Sequence, residues 1–484
     1  MKNVVFVTAC AVRALRREER NKTVMKRALI GAAFFILHSS FFAFTCQAQS
    51  EDSTKVNKLT LGLNFLAHGE ICAGGLPKPS VQQDVQRPEE SFSAFLLGRT
   101  RISLGYERKW LEAKAVIQNL ALWGMKSNMS LNLYEGWVKM KAKCGLFTQL
   151  GRIALSYDDE RIIGTNDFAT ASLSHDVALV GYEGHGHKLH GIFAFNQNID
   201  NLYAGTYYVN GSQHYKTMQT AWYHYDFPKI PLGASLLFMN VGLQAGEYKV
   251  VKNKMVEDKT NPPHVEYQQM YGTYVNFHPK YLTLEGSYYR QSGQVLVADM
   301  HTSTIKAWMA SGKATVKPTD RYGFELGYDY LSGDDFVPVT YGGTMGLPLH
   351  SVEGGFTPLY GSRTKFYGIM DYFYESAYTN GFTPGLQNAY VSVIGEPIPK
   401  LRGRIAYHYM AVATSLNNLS STLGHSMEIN ARYDFSKDVS LSAGYTLMVG
   451  TETMNRLKQG TGSKQAHWAW FSLIVSPTIF TTRF

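Results

Sequence analysis

Hydrophobic and polar residues alternate along most of the chain in runs of around 10 to 14 residues, each closed by a cluster of turn-forming residues. In GHSMEINARYDF, Met427, Ile429, Ala431, Tyr433 and Phe435 share one face, while Ser426, Glu428, Asn430, Arg432 and Asp434 share the other. The next run, VSLSAGYTLMV, repeats the pattern: Val439, Leu441, Ala443, Tyr445, Leu447 and Val449 oppose Ser440, Ser442, Gly444 and Thr446. A period of two predicts β-strands, because successive side chains leave a strand on opposite sides. No segment after residue 49 approaches the roughly 18 consecutive apolar residues of a membrane helix, so a chain that crosses a bilayer must do so with strands.

Runs of nearly equal length continue to the C-terminus, with aromatic residues near their ends, as at Tyr106, Trp110, Trp123, Tyr134, Tyr157, Tyr182, Tyr225 and Tyr433. Ten residues at about 3.3 Å each, tilted near 45°, rise about 23 Å, close to the roughly 25 Å apolar band of an outer membrane. Short turns, as at 107–109, 185–186, 279–280 and 436–438, alternate with longer polar links at 71–91, 157–174, 199–213, 245–263, 333–384 and 415–423. Counting runs from Leu59 to Phe484 gives about 18, an even number that returns the chain to its starting side. The expected fold is therefore all-β: a transmembrane antiparallel up-and-down β-barrel of about 18 strands, large enough to enclose water. The link 333–384 is rich in Gly and aromatics and is expected to fold into the barrel mouth; a further hairpin within it would make the count 20.

Composition refines this picture at the N-terminus. The chain has 484 residues, 45% hydrophobic and 18% charged, with 31 Tyr and 26 Phe against 7 Trp, which suits a surface apolar in the middle and wet at its edges. The net charge of +9 would suggest nucleic acid. Eight of the 47 bases and two of the 38 acids lie in residues 1–48, however, leaving 39 against 36, a balance that implies no nucleic-acid partner. From Met25, the expected true start, MKRALIGAAFFILHSSFFAFTCQAQS has the basic start, apolar stretch and small residues before Gln49 of a secretory signal peptide. Residues 1–48 are thus an extension and signal peptide, and 49–484 the barrel. Cys72 and Cys144 fall at opposite ends of strands in this topology and are not expected to pair.

One segment is specific enough to compare with a known family. The run LYEGWVKMKAKCGLFTQLGRIALSYDDERIIGTNDF resembles the strand-turn-strand-loop signature of the alginate-export family of outer-membrane porins, in which a Gly-Arg strand leads to a Ser-Tyr-x-Asp-x-Arg-x-x-Gly loop. RTRISLGYERKWLEAK near Arg99 and KFYGIMDYF near Lys365 support it. The resemblance implies an 18-stranded barrel with a basic, loop-narrowed lumen that passes an acidic polysaccharide or small anions without energy input.

A polyanion-conducting lumen needs fixed guanidinium groups, which stay charged and offer a planar fork to a carboxylate. Arg99, Arg101, Arg152, Arg402, Arg404 and Arg432 occupy expected inward positions, with Lys114, Lys139 and Lys141 nearer the rim. Glu112, Glu135, Glu325, Asp329, Glu428 and Asp434 are expected on the same wet face, so the arginines either form an anion path or pair across strands and keep the lumen polar. Apolar Phe147, Ile153 and Leu155 are read as outward-facing, which puts Arg152 on the wet side. Asp158, Asp159 and Arg161 are expected to form a salt-bridged constriction loop, with Arg363 and Lys365 of the long link reaching the permeation path. The loop has no calcium-loop spacing, and His185, His187 and His190 have no cysteine or carboxylate at ligand spacing, so no metal and no cofactor are expected.

The leading expectation is a passive outer-membrane channel for anionic oligo- or polysaccharides such as uronates, or related small solutes. It would lie in the outer membrane of a Gram-negative-type cell with both termini periplasmic. Its partners would be outer-membrane lipids, the solute and the barrel-assembly machinery. A barrel with a non-transport role is the alternative, either an outer-membrane hydrolase around Ser172, Ser174 and His175 or a structural or adhesion barrel; no Gly-x-Ser-x-Gly elbow supports an enzyme.

Overall fold

A computed structural model describes residues 57–74, 92–125, 129–168, 172–197, 215–246, 248–251, 254–257, 262–297, 301–334, 340–341, 344–345, 352–370, 372–373, 383–416, 419–458 and 465–484. The signal peptide expected in residues 1–48 and much of the Gly-rich part of the long link lie outside them. The chain divides into Met1–Lys55 with Ala142–Cys144, of which the structure describes a turn, and Val56–Lys141 with Gly145–Phe484, which forms the sheet.

That second unit is a closed 18-strand antiparallel β-barrel. Its first nine strands are β1 Lys58–Gly74, β2 Phe92–Arg108, β3 Leu111–Leu122, β4 Met129–Lys141, β5 Leu146–Ile153, β6 His175–Gly184, β7 His187–Phe195, β8 Thr217–Asp226 and β9 Leu232–Ala245. The second nine are β10 His264–Phe277, β11 Leu282–Val297, β12 His301–Val316, β13 Tyr322–Leu331, β14 Leu386–Ile398, β15 Leu401–Ala411, β16 Thr422–Asp434, β17 Val439–Gly450 and β18, which runs as Gln465–Val475 and then Thr478–Arg483. Each strand pairs with the next, and β18 closes the ring on β1, from Gly74 opposite Ala466 at one end to Lys58 opposite Arg483 at the other. The sequence count of 18 therefore holds. The long link supplies no additional barrel hairpin among its described residues; its Val352–Glu353 pairs in parallel with the edge of β12 at Thr304 and Ile305.

The two faces differ as the alternation predicts. Ile102, Leu104, Leu236, Phe238, Leu326, Ile405 and Ile429 are exposed on the outer wall. The intervening Arg101, Ser235, Glu325, Ala406 and Glu428 are turned inward, buried or nearly so. On β5, however, the inward and outward assignments are reversed relative to expectation. Leu150 is exposed while Phe147, Ile153 and Leu155 are buried, because in this sector the lumen holds an apolar cluster instead of water. Gly151 permits the local backbone: its φ is +127°, and a Cβ there would lie 2.1 Å from the Gly136 carbonyl oxygen. Cys72 and Cys144 are not joined in a disulfide.

An exposed apolar wall makes a specific demand. Leu326, 62% exposed at mid-strand on β13, faces outward, and Leu326→Arg should destabilise the barrel by about 2–4 kcal/mol. Urea unfolding in lipid vesicles would measure the loss.

Candidate functional site

Two connections run into the lumen and meet there. Residues 154–168 leave β5, and residues 352–370 belong to the link between β13 and β14. They join as a short parallel pairing: Gly164 N–H donates to the Tyr360 carbonyl at 2.8 Å and Tyr360 N–H to the Ile162 carbonyl at 3.0 Å. Asn166 and Ser362 lock this seam, since Asn166 Oδ1 accepts from Arg363 N at 3.1 Å and Ser362 Oγ accepts from Asn166 N at 3.1 Å. Asp158, Glu160, Asn166 and Tyr367 all have positive φ, four of the six such non-glycine residues described, so the backbone is strained where these segments turn.

Apolar packing holds the partition to the wall. Ile162, Ile163, Phe356, Tyr360, Tyr367 and Phe373 are buried against inward side chains of the barrel, among them Met218, Met239, Met270, Met309, Met410 and Met448. Phe168 reaches β1 and β18, with its ring 5.0 Å from Trp470 and 5.3 Å from His68. Asp334 anchors the longer segment by accepting from Gly354, Gly355 and Thr383 backbone N–H groups.

Arg161 is the electrostatic centre of the partition. It is 5% exposed, pairs with Asp159 at 3.2 Å and with Asp329 of β13 at 3.1 Å, donates to Tyr367 Oη at 3.0 Å, and lies 4.0 Å over the Phe366 ring. Burial opposes its charge, but Tyr367, Asp329 and Asp159 together hold its pKa well above the ordinary arginine value. Asp158 instead accepts from Trp222 Nε1 and Ser235 Oγ on the wall, and burial pushes its carboxyl above the usual range despite those donors. Lys365 Nζ meets Glu160 at 3.5 Å, and Arg363 contributes its backbone N–H to the seam. Around these groups lies a cavity of about 360 Å³, bordered by Asp158, Asp159, Glu285, Glu325, Asp329 and Glu428 and by Arg161, Lys313, Lys365 and Arg404.

The other candidate residues sort by face. Arg99 and Arg101 point inward on β2 and share Asp167 at 3.1 and 2.8 Å; both also donate to Ser172 Oγ, and Arg101 stacks 3.7 Å over Tyr134. Arg402 and Arg432 share Asp434 near the short-turn end. Arg404 bridges Glu325 at 3.0 Å and Glu428 at 3.5 Å, and Glu428 also accepts from Ile369 N of the partition. Glu112 pairs with Lys141 and Glu135 with Lys114. Lys139 lies 4.0 Å from Glu183.

Arg152 is the exception and corrects the sequence reading. It shares the outward face of Leu150, forms a two-pronged salt bridge with Asp176 at 2.8 and 2.6 Å, and donates to the Leu133 carbonyl. Apolar Ile153 and Leu155 take the inward positions because the partition offers them a dry surface. His187 and His190 also separate: His187 bonds Tyr223, whereas His190 contacts Tyr157 and Glu183. Among the described residues no group of three or more His, Cys, Asp or Glu is placed to hold a metal. Ser172 is engaged by Asp167, Arg99 and Arg101, while His175 Nδ1 is hydrogen-bonded to Tyr215 Oη.

The aromatic residues of the 333–384 link, Tyr360 and Tyr367 among them, were expected at the barrel mouth, but the methionine-lined wall they pack against was not among the residues singled out from sequence. A signal for them exists in strands apolar on both faces, as in LLFMNV of β9, where Leu237 and Met239 are buried inward while Leu236 and Phe238 are exposed outward.

Arg161→Ala would leave Asp159 and Asp329 without their buried counter-charge and should cost about 3–5 kcal/mol in denaturant unfolding. The Asp167 anchor should depend on pH in a defined direction. Burial pushes its carboxyl up, but Arg99 and Arg101 outweigh that and hold it below the usual range. Its stabilising contribution is therefore complete above the unfolded aspartate value of about 3.9 and lost as pH falls through the depressed folded value. Spin labels on residues 165 and 97 should show the loop attached at pH 5 and released in stronger acid, and released at both in Asp167→Asn.

No protein-family model and no curated protein matches this chain. Solved structures do. OccAB1 of Acinetobacter baumannii superposes with a TM-score of 0.55 at 13% identity over 90% of this chain and 100% of that one. OpdL of Pseudomonas aeruginosa gives 0.54 at 12% over 88% and 99%, and OccK5 (OpdH) of the same organism 0.53 at 11% over 88% and 98%. At these identities the likeness establishes the fold, an 18-strand antiparallel barrel of the kind seen in Occ/Opd outer-membrane porins, and it does not reach the narrower alginate-export family.

Proposed function

We propose that the protein is a passive outer-membrane channel for small carboxylate-bearing solutes, anionic saccharides of the uronate type among them. The observation that carries this reading is a repeated two-to-one arrangement: Arg99 and Arg101 share the single Asp167, and Arg402 and Arg432 share the single Asp434. At the exposed Arg402–Asp434–Arg432 station two guanidinium groups meet one carboxylate, so a solute carboxylate can take a fork that the resident aspartate leaves underused, whereas Arg99 and Arg101 are buried and hold the loop. Competition with that aspartate keeps binding weak enough for release, which conduction requires. The partition across the lumen favours short solutes over a polymer, and the resemblance of the 150–164 segment to alginate-export porins is consistent with the same anion chemistry. In this reading the short turns and both termini face the periplasm, the wall meets outer-membrane lipid, and the barrel-assembly machinery inserts the chain.

One observation favours a second, narrower reading. The cavity beside Arg161 is bordered by six carboxylates and four cationic side chains, a surplus of acid. A solute carrying an ammonium as well as a carboxylate, such as an amino sugar acid or an amino acid, complements both.

Reversal potentials and current block in planar bilayers test the stations. Arg402→Gln with Arg432→Gln should lower anion preference and weaken block by galacturonate several-fold. Arg152→Gln, on the outer wall, should leave both unchanged. Equal block in the wild-type and doubly substituted channels would refute the arginine stations, and absence of conductance would refute the channel.

A further inference from the structure

The outer wall carries charge in two different ways. Arg152 is neutralised within the wall by Asp176. Arg290 on β11 and Lys306 on β12 are also exposed and outward, flanked by inward Tyr289, Gln291, Ile305 and Ala307. The positions around them on this face, Gln269, Tyr271, Ser292 and Trp308, bring no carboxylate. Two cations on a lipid-facing wall are costly unless they lie at its edge or meet an anion from outside the protein.

Their position is at an edge. Lys306 pairs in register with Ser292, about ten residues above the start of β11 at Leu282, which at about 3.3 Å per residue and 45° tilt is about 23 Å above the short-turn end. That is the far boundary of an apolar band of roughly 25 Å. The same level is marked on the neighbouring strands by a continuous outward row, Gln219, Asn240, Gln269, Ser292 and Lys306, each opposite the next. The amides are linked, Asn240 Nδ2 donating to Gln219 Oε1 at 2.7 Å and Gln269 Nε2 to Asn240 Oδ1 at 2.8 Å, and each amide keeps further donor or acceptor capacity for an outside group. Directly beneath, on β7 to β10, Leu189, Ala221, Leu236, Phe238 and Tyr271 border an apolar groove of about 460 Å³. Trp308 and Tyr330 stack beside the cations with ring centroids 4.6 Å apart, as aromatic side chains do at a membrane interface.

We infer that this strip is a binding site for a phosphorylated glycolipid of the outer leaflet: Arg290 and Lys306 take the phosphate, the amide row takes sugar hydroxyls, and the groove below takes an acyl chain. The charge complement decides among occupants, because a second barrel would have to bring carboxylates to these cations, and the outward faces described offer Asp176 already bound to Arg152. The inference rests on the outer-membrane reading above.

Native mass spectrometry of the full barrel in detergent, titrated with a bisphosphorylated acylated glucosamine disaccharide and with its dephosphorylated form, tests it. Wild-type protein should retain one phosphorylated lipid, and Arg290→Gln with Lys306→Gln should weaken retention at least tenfold, to the level of the dephosphorylated lipid. Ser292→Glu, which sets a carboxylate between the two cations, should weaken it similarly and stands in should the double variant fail to fold. Heat-modifiable migration on gels and unchanged single-channel conductance identify folded variants. Equal retention by folded variants, equal retention of the dephosphorylated lipid, or a barrel dimer that excludes lipid would overturn the site. A wild-type barrel that retains the lipid yet forms no pores would instead count against the channel.

Discussion

A sheet leaves backbone N–H and C=O groups unpaired along its edges unless it closes on itself, and this chain closes by pairing its first strand with its last. The β1–β18 register runs almost the full length of both strands, so neither edge is left open. Closure also makes the two faces unequal in purpose. Each strand turns one set of side chains to the outer wall and the other to the lumen, and a shift of one residue would exchange them.

The lumen is not simply the polar side. Part of it is occupied by residues 154–168, 352–370 and 372–373, which bury Ile163, Phe356, Tyr367 and Phe373 against inward methionines of the wall. Methionine suits this contact, since its flexible unbranched side chain fills the irregular space between a curved sheet and a folded loop. A dry partition can then hold a charge as deeply as Arg161, which two carboxylates, a phenol hydroxyl and an aromatic face surround. The dry contact and the polar cavity beside Arg161 thus border the same folded segment inside the barrel.

Charge is handled by the surroundings each group meets. Inside, arginines and lysines pair with carboxylates on neighbouring strands or on the loops, and at Asp167 and Asp434 two guanidinium groups share one carboxylate. Outside, Arg152 is stabilised by Asp176, and Arg290 and Lys306 lie at the level where the wall turns polar. The same residue type therefore serves in a salt bridge on the outer wall and in anchoring a loop inside the barrel, and position decides which.

The alternation in GHSMEINARYDF and its repeats, the turn spacing and the even count sufficed to derive an 18-strand barrel, because a two-residue period and the thickness of a bilayer are local and additive constraints. The inward placement of Arg99, Arg101, Arg404 and Glu428 followed from the same parity. Parity misplaced Arg152, since it equates apolar with lipid-facing, and beside the partition apolar residues are needed on both sides of the sheet. Which face of β5 is wet, which carboxylate each arginine meets, and how Tyr367 comes to lie against Arg161 across 206 positions of chain were decided by the tertiary structure. Those contacts join segments far apart in sequence, and no periodicity along the chain records how a loop folds back into the barrel that carries it.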